Sequence, residues 1–449
     1  MGNLMVSVSG IRGIVGESLN PDVIIKYVKA YADYIDGETI VLGRDSRRTG
    51  QYILNLVKSI LVAKGYDVYD MGIVPTPTVL LNIEILKADG GIIITASHNP
   101  IEWNALKLAS EKGMFLTSEE GAIFLDSLKN DHSKYVKYDK VGNVIKYKKG
   151  IQNHIKRILS LINLERIKKR KFKVVLDCVN GAGGVFTPKL LKEMNCNYTV
   201  INEEPNGEFP RNPEPRPENL SKLAEKVKKE KADIGFAHDP DVDRLAVVDE
   251  KGEPIGEELT LALAAWKFLM DNPNNKCVCN LSTSMIVEDI ASKYDSGVIR
   301  TPVGEVNVAS RMIEENAIIG GEGNGGVIIP ELHYTRDAPA AIAVILDFLA
   351  VQNCPVSKII QELPKYNIIK DKIKFNNKDK RQKYMKKFRK INFEEKPVNI
   401  DYQDGIRFEW KKSWIHIRPS GTEPIIRVIG ESLDKNWLKN KIEYIKNYE

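Results

Sequence analysis

Three times the chain runs a short apolar stretch straight into a polar loop: ADGGIIITASHNP at 88–100, ADIGFAHDPDVDR at 232–244 and NAIIGGEGNGG at 316–326. Strands alternating with helix-length segments argue for βαβ units and a largely parallel sheet. The period is far longer than that of a solenoid repeat, so the pattern reads as three similar domains rather than an array. In the first stretch, Ile92–Thr95 is a buried strand that delivers Ala96, Ser97, His98 and Asn99 to a stop at Pro100. The residue before a proline is biased away from helix. A hydroxyl presented there sits where open α/β sheets place their chemistry, although a turn-capping serine is the plainer reading of Ser97 taken alone.

The order of elements supports this organisation. Asn20 caps and Pro21 opens a helix through Ile24, Val28 and Tyr31, and Thr39–Gly43 is a strand ending in Arg44-Asp45-Ser46-Arg47. A helix through Ile53 and Leu61, a strand at Asp67–Met71 and a helix after Pro75 and Pro77 complete the first unit. Lys112-Gly113 reads as a hairpin turn that adds an antiparallel strand, and Lys146–Lys171 as a linker helix into a second unit. That unit has a strand at Lys173–Asp177, a Gly-rich turn at Asn180–Gly184 and irregular chain at Pro205–Pro217. A third unit starts near Gly256 and reaches a strand at Ala317–Ile319. The last segment differs in kind, with strands at Ile368–Phe375, Trp414–Ile417 and Ile425–Ile429, a hairpin turn at Asp404-Gly405 and a closing helix from Lys435. It reads as a small α+β domain. Its basic run, Lys378–Lys390, has only Tyr384 and Phe388 as aromatics, which favours a solvated helix face over a nucleic-acid patch.

Composition narrows the class. At 449 residues with 28% charged and 43% hydrophobic residues, the chain suits several globular cores. A net charge of +6 admits anionic ligands without calling for nucleic acid. No stretch approaches the roughly 20 apolar residues of a membrane span, and the N-terminus lacks the layout of a signal peptide. The cysteines at 178, 196, 277, 279 and 354 are scattered and odd in number, against a disulfide framework and for a reducing cytoplasm. Cys277 and Cys279 alternate in a strand-like run and read as buried.

Asp239, Asp241 and Asp243 alternate on one loop after a strand and can converge on a hard cation, Mg²⁺ or Ca²⁺. An EF-hand is the rival, with acids at loop positions 1, 3, 5 and 12, but Arg244 stands where that loop needs glycine. An arginine beside such a cluster suits a bridging phosphate. Arg418-Pro419-Ser420-Gly421-Thr422, with Arg427 beyond, offers a guanidinium, hydroxyls and backbone N–H groups to a phosphate dianion. It lacks the P-loop spacing. Glu322 and Asn324, among glycines, can read vicinal hydroxyls, and Lys107 is a general acid/base candidate near Ser97. Together these residues describe phosphoryl chemistry on a hydroxylated small molecule.

SGIRG near the start, TASHNP at 95–100, DPDVDR at 239–244, GEGNGG at 321–326 and RPSGTEP at 418–424, in this order, resemble the α-D-phosphohexomutase family. The family comprises phosphoglucomutases, phosphomannomutases and phosphoglucosamine mutases. GRDSR at 43–47, NGAG at 180–183 and 209–220 add supporting matches, so the resemblance spans essentially the whole chain. It implies three related α/β domains with mixed sheets and a C-terminal α+β domain resembling TATA-binding protein, around a central cleft. The boundaries expected are 1–148, 149–252, 253–365 and 366–449. It implies a phosphoserine at Ser97 and Mg²⁺ held by Asp239, Asp241, Asp243 and the phosphoserine oxygen. A hexose 1,6-bisphosphate is the implied intermediate and activator, Lys107 the proton shuttle, and Arg12 and Arg244 phosphate-side cations. His98 belongs to the catalytic loop but is not the nucleophile.

The implied substrates are glucose, mannose or glucosamine phosphates, with phosphoglucomutase/phosphomannomutase ahead of phosphoglucosamine mutase. Neither nucleic acid nor membrane is an expected partner, and a homodimer is left open. Two departures bear on the sugar: Asn324 and Gly326 stand where many relatives carry serine and histidine, and Glu305 follows Val303-Gly304 where bacterial phosphomannomutases often carry histidine. The NGG version resembles archaeal members. The rivals are a metal phosphatase using Ser97 covalently and a sugar-phosphate-binding protein without turnover. The mutase reading also expects the C-terminal domain to move on a hinge.

Overall fold

The computed structural model describes residues 4–7, 10–128, 134–375, 378–420 and 425–448. The chain divides into two compact units, 1–260 with 325–357 and 261–324 with 358–449.

The first unit opens with a seven-stranded mixed sheet formed by β1 (Met5–Ser7), β2 (Gly10–Ile14), β3 (Thr39–Arg44), β4 (Asp67–Ile73), β5 (Gly90–Ile94), β6 (Trp103–Ser110) and β7 (Val144–Lys146). Their spatial order is β1-β2-β6-β5-β3-β4-β7. Strands β3, β4 and β5 are parallel, with Val41 between Tyr69 and Gly91. Helices α1 (Pro21–Tyr34), α2 (Gly50–Ala63), α3 (Thr76–Leu86) and α4 (Ser118–Ser127) flank them. The Asn20 side chain caps α1, accepting from Val23 N at 3.0 Å. Ile40, Leu42, Ile92 and Ile94 of the sheet pack with Ile24, Val28 and Tyr31 of α1 and Val57 and Leu61 of α2. Each such buried side chain contributes about 1.5–3 kcal/mol. α3 covers the other face at close range, where a Cβ on Gly91 would lie 2.6 Å from Ile83.

The antiparallel strand lies before Lys112-Gly113, not after it. The chain reverses at the Pro100 bend, and β6 pairs with both β5 and β2. The turn at Gly113 is followed only by a single bridge between Ala109 and Phe115. The expected linker helix is likewise two packed helices, α5 (Gly150–Leu159) and α6 (Leu164–Arg170). Asn163 caps α6 by accepting from Arg166 N, so the chain restarts there. The apolar residues of this stretch, Ile155, Ile158 and Ile167, are buried, which a lysine count could not show.

A second sheet contains β8 (Lys173–Asp177), β9 (Asn197–Ile201), β10 (Ile234–His238) and β11 (Leu245–Val248), in the order β11-β10-β8-β9. β8, β9 and β10 are parallel and β11 is antiparallel to β10. α7 (Gly183–Glu193) and α8 (Ser221–Glu230) belong with it, and Leu223 and Val227 of α8 join its core. The chain then enters α9 (Glu257–Asp271).

In the second unit β12 (Lys276–Asn280), β13 (Gly297–Thr301) and β14 (Ile319–Glu322) are parallel, with α10 (Ile286–Ser292) and α11 (Glu305–Glu315) between them. The chain returns to the first unit for the hairpin β15 (Gly326–Ile329) and β16 (His333–Arg336), then α12 (Ala338–Gln352) and the start of α13 (Val356–Gln361). Back in the second unit, β17 (Asn367–Lys374), β18 (Asn399–Asp401), β19 (Ile406–Trp410), β20 (Ser413–Pro419) and β21 (Ile425–Ser432) form an antiparallel sheet ordered β17-β21-β20-β19-β18. α14 (Lys378–Phe388) and α15 (Lys435–Lys446) complete it. Phe388 of α14 is fully buried with Phe408, Ile415 and Ile426, while the lysines at 380, 383, 386 and 387 are not, as a solvated helix face requires. Among the described residues no helix is long and apolar enough to cross a membrane.

Candidate active site

Ser97 lies just beyond β5 with φ at +51°, left-handed for a residue with a side chain. Several bonds fix that turn. Ser97 N donates to Thr95 Oγ1 at 2.9 Å, and Thr95 Oγ1 donates to Asp45 Oδ2 at 2.7 Å. Arg47, fully buried, donates from Nη2 to the carbonyls of Ser97 (2.6 Å) and Asn99 (2.7 Å) and from Nη1 to those of Pro100 (2.6 Å) and Trp103 (3.1 Å). Its Nε donates to Asp45 Oδ2 at 3.0 Å. The sequence shows Arg47 as part of GRDSR, but no pattern announces that its fork would grip the serine loop.

The aspartate loop meets this serine. Ser97 Oγ donates to Asp239 Oδ2 at 2.9 Å, while Asp239 Oδ1 accepts from the backbone N–H of Asp243 and Arg244, both at 3.1 Å. Asp241 Oδ2 accepts from Lys107 Nζ and from Thr76 Oγ1, each at 2.8 Å. Asp243 Oδ2 accepts from Arg336 Nη2 at 2.6 Å, with Lys107 Nζ at 3.6 Å. Thr76 and Arg336 carry no signal in the sequence because they arrive from remote elements, α3 and β16. All three carboxylates are fully buried, and each offers an oxygen within 4.8 Å of the others. Among the described residues, Asp241 Oδ1 and Asp243 Oδ1 have no hydrogen-bond partner, Arg244 Nε lying 3.9 Å from the latter. Buried carboxylate oxygens left in this state, in an all-oxygen donor set, fit a hard divalent cation. An EF-hand is excluded, since β11 begins at Leu245, inside the span a calcium loop would need.

Electrostatics follow from this packing. Burial, then the charges of Asp243 and Asp241, push Asp239 well above the usual carboxyl range. Burial would raise Asp241 too, but the Lys107 ammonium and its hydrogen bonds hold it far below. Burial disfavours charge on Lys107, yet Asp241 and Asp243 outweigh it and keep the ammonium protonated. His98 is pushed well below its ordinary value by burial and by Arg244 and Arg12, so it is neutral. Its Nδ1 lies a long 3.4 Å from Ser97 Oγ. Arg12 Nη1 donates to Asn99 Oδ1 at 2.6 Å, and Arg244 Nη1 to Glu214 Oε1 at 3.0 Å. Glu214 is another residue the sequence did not single out.

The remaining expected residues belong to the second unit. Glu322 is the last residue of β14 rather than part of a loose glycine loop, because the strand runs on past Ile319 in register with β12. Its Oε1 accepts from Asn280 Nδ2 (2.9 Å) and Gly304 N (3.1 Å), and its Oε2 from Asn324 Nδ2 (3.3 Å). Arg418 Nε forms an ion pair with Asp404 Oδ2 at 3.0 Å, and that oxygen accepts from Val303 N at 3.1 Å. Arg418 and Arg427 are paired across β20 and β21, and Arg427 faces Lys372 across β21 and β17, so three cations share one face. The Ser420 carbonyl accepts from Arg381 of α14. Gly421 and Thr422 lie outside the described residues.

Four family models match the chain in order. They are phosphoglucomutase/phosphomannomutase alpha/beta/alpha domain I (residues 4–133), domain II (152–252), domain III (256–366) and the C-terminal domain (372–445). A phosphoglucomutase/phosphomannomutase of Thermococcus kodakarensis is 37% identical over 440 residues, covering 97% of this chain and 96% of its own. A probable phosphoglucosamine mutase of Methanopyrus kandleri is 35% identical over 425 residues, covering 94% and 93%. The crystal structure of a phosphoglucomutase/phosphomannomutase family protein from Burkholderia thailandensis superposes with a TM-score of 0.85 at 25% identity, covering 98% of this chain and 96% of that one.

Proposed function

The chain belongs to the phosphoglucomutase/phosphomannomutase family of phosphohexomutases, which are isomerases, and from that premise we propose how its own residues carry the reaction. Ser97 is the phosphoryl carrier. The hexose hydroxyl oxygen bonds to phosphorus as the bond from Ser97 Oγ to phosphorus breaks, giving a hexose 1,6-bisphosphate. The intermediate reorients, and its other phosphoryl group returns to Ser97 Oγ with release of the isomeric monophosphate. Asp239, Asp241 and Asp243 would hold Mg²⁺, which when bound supplies charge neutralisation at the transferring phosphoryl group. The observation that carries this reading is the contact of Ser97 Oγ with Asp239 inside a triad whose other two members each keep an oxygen with no hydrogen-bond partner among the described residues.

Lys107, held as an ammonium by Asp241, is assigned the proton shuttle: it gives a proton to the serine oxygen as that oxygen leaves phosphorus and takes up the hexose hydroxyl proton in its place, and the return transfer runs the same exchange backwards. The Arg47 fork spends its donors on the backbone of the serine loop, so it orders the nucleophile rather than binding substrate. Arg12 and Arg244 face the transferring phosphoryl group. Glu322 and Asn324 read the sugar hydroxyls, and Arg418, Ser420, Gly421, Thr422 and Arg427 hold the non-reacting phosphate. The substrates are glucose and mannose phosphates, and the free, mostly buried cysteines support a cytoplasmic setting. The Methanopyrus kandleri relative favours glucosamine phosphate as a second reading.

The test is a mutase assay with Mg²⁺ and a trace of sugar bisphosphate. Glucose, mannose and glucosamine phosphates run in parallel, each with Ser97→Ala as control. Isomerisation that collapses in the variant supports the mechanism, and the rates rank the sugars. Phosphate release without isomerisation would mean a phosphatase.

A further inference from the structure

The aspartate loop is held from outside by a corner of chain that no motif singles out. Val242, between two of the aspartates, stands at φ +64°, a conformation a β-branched residue adopts only when its surroundings impose it. The corner 333–338, where β16 passes into α12, supplies two contacts. Ala338 N donates to the Val242 carbonyl at 3.3 Å, and Arg336 Nη2 donates to Asp243 Oδ2 at 2.6 Å. The corner is itself anchored. Asp337 Oδ1 caps α12 by accepting from Ala340 N at 2.9 Å, and Asp337 Oδ2 accepts from His154 Nε2 (2.6 Å) and His333 Nε2 (2.8 Å). His154 Nδ1 meets Thr78 Oγ1 at 2.9 Å, which ties the corner to α3 and α5. Arg336 therefore reaches the triad from an element anchored at several points.

We propose that Arg336 is a positioning residue for the metal ligand Asp243. By engaging Oδ2 it leaves Oδ1, which has no hydrogen-bond partner among the described residues, for the cation, as Lys107 does for Asp241. The inference rests on the reading of Asp239, Asp241 and Asp243 as the metal site. Two effects of the guanidinium oppose each other. Its charge repels a nearby cation, while its hydrogen bond fixes the ligand. The short, buried contact from a braced corner makes the second effect the larger. Outer partners of metal ligands typically change metal affinity by roughly 10–100-fold.

Mn²⁺ titration of the unphosphorylated full chain, followed by the electron paramagnetic resonance signal of the free ion, reads this without turnover. Wild type binds one equivalent that Mg²⁺ displaces. Arg336→Gln weakens that binding by about tenfold or more, with the metal-free unfolding midpoint little changed. Arg336→Lys, which keeps the charge but not the planar fork, recovers only part, and it carries the same test if the glutamine variant does not fold. Binding within twofold of wild type, or tighter, overturns the proposal, the tighter result showing that Arg336 acts only as a repelling charge. Asp243→Asn separates the two readings: unchanged Mn²⁺ binding there means that the triad is not the metal site.

Discussion

Two buried polar clusters of the first unit share an outline and differ in everything that decides function. Asp239, Asp241 and Asp243 form one, and His154, His333 and Asp337 the other; in both, three potential ligand atoms lie within 4.8 Å of one another. In the histidine cluster a single carboxylate is surrounded by donors, two ring nitrogens and the helix N–H of Ala340, and among the described residues only His333 Nδ1 lacks a hydrogen-bond partner. In the aspartate cluster three carboxylates crowd together and two oxygens are left without donors. Proximity of ligand types is common to both. Unspent lone pairs distinguish the site that can take a cation from the hub that joins α5, β16 and α12. A metal at the hub would also leave both histidines needing a proton acceptor at Nδ1, and His333 has none.

Substitutions that break each cluster should therefore fail in opposite ways. Asp241→Asn removes a proposed ligand oxygen and the partner that keeps Lys107 charged and in place, so kcat/KM should fall by roughly 1,000-fold or more, about 4 kcal/mol of transition-state stabilisation. The fold should survive, because the amide still accepts from Thr76 Oγ1. Steady-state assays with a hexose phosphate, beside a circular dichroism melt, check both halves. His154→Ala should instead cost about 2–4 kcal/mol of stability, from the cavity and the stripped Asp337. Its kcat should stay within a few-fold of wild type well below the melting temperature. Elemental analysis sharpens the contrast: a transition metal that is lost from the His154 variant would make the hub a second metal site and undo the distinction drawn above.

The difference between the clusters also marks what the sequence could and could not say. DPDVDR announces its chemistry because three acids alternate within five positions, and TASHNP because a buried strand meets a proline. The residues that finish the site have no such local mark. Arg47 was visible only as part of a motif, while Thr76, Glu214 and Arg336 come from a helix, an irregular stretch and a hairpin far along the chain, and only the packed fold shows what they touch. Helices and strands were legible from periodicity, with errors where packing overrode composition. The lysines of 146–171 masked two apolar faces, and β14 ran on through glycines to include Glu322. His154, His333 and Asp337 are scattered over the chain, and no spacing could have joined them.

The pH dependence of stability should carry opposite signs in the two clusters. Asp337 is held well below the usual carboxyl range, burial being outweighed by the His154 and His333 rings that donate to its carboxylate. Its stabilisation is fully present above the unfolded value of about 4 and lost as pH falls through the folded value. Asp239 is displaced upward, so the folded protein keeps a proton that the unfolded chain has released, and stability falls as pH rises from about 4 through the folded value. Each proton corresponds to a slope of about 1.4 kcal/mol per pH unit over its own window. In metal-free urea unfolding, Asp239→Asn should flatten the decline on the upper side and Asp337→Asn the loss on the acid side. Saturating Mg²⁺ should mimic the first variant and leave the acid side alone if, as proposed, the aspartate cluster is the one that exchanges a proton for a cation. A Mg²⁺ effect on the acid limb would mean that the clusters are coupled through the cation.

The smallest change probes the proton arrangement of the hub. With Asp337 accepting at Nε2, the His154 ring must carry its proton there, and Nδ1 then accepts from the Thr78 hydroxyl at 2.9 Å. Thr78→Val keeps the shape and removes only that donor. It leaves one buried ring nitrogen unpaired, at a cost of about 1 kcal/mol. Mn²⁺ affinity should not change, since the corner 333–338 keeps its other anchors in His333 and the Ala340 N–H. A denaturation midpoint and a metal titration on the same protein separate these two effects. If the loss is several times larger and Mn²⁺ binding weakens with it, the ring has turned over, and the hub transmits its own disorder through Arg336 to the aspartate loop.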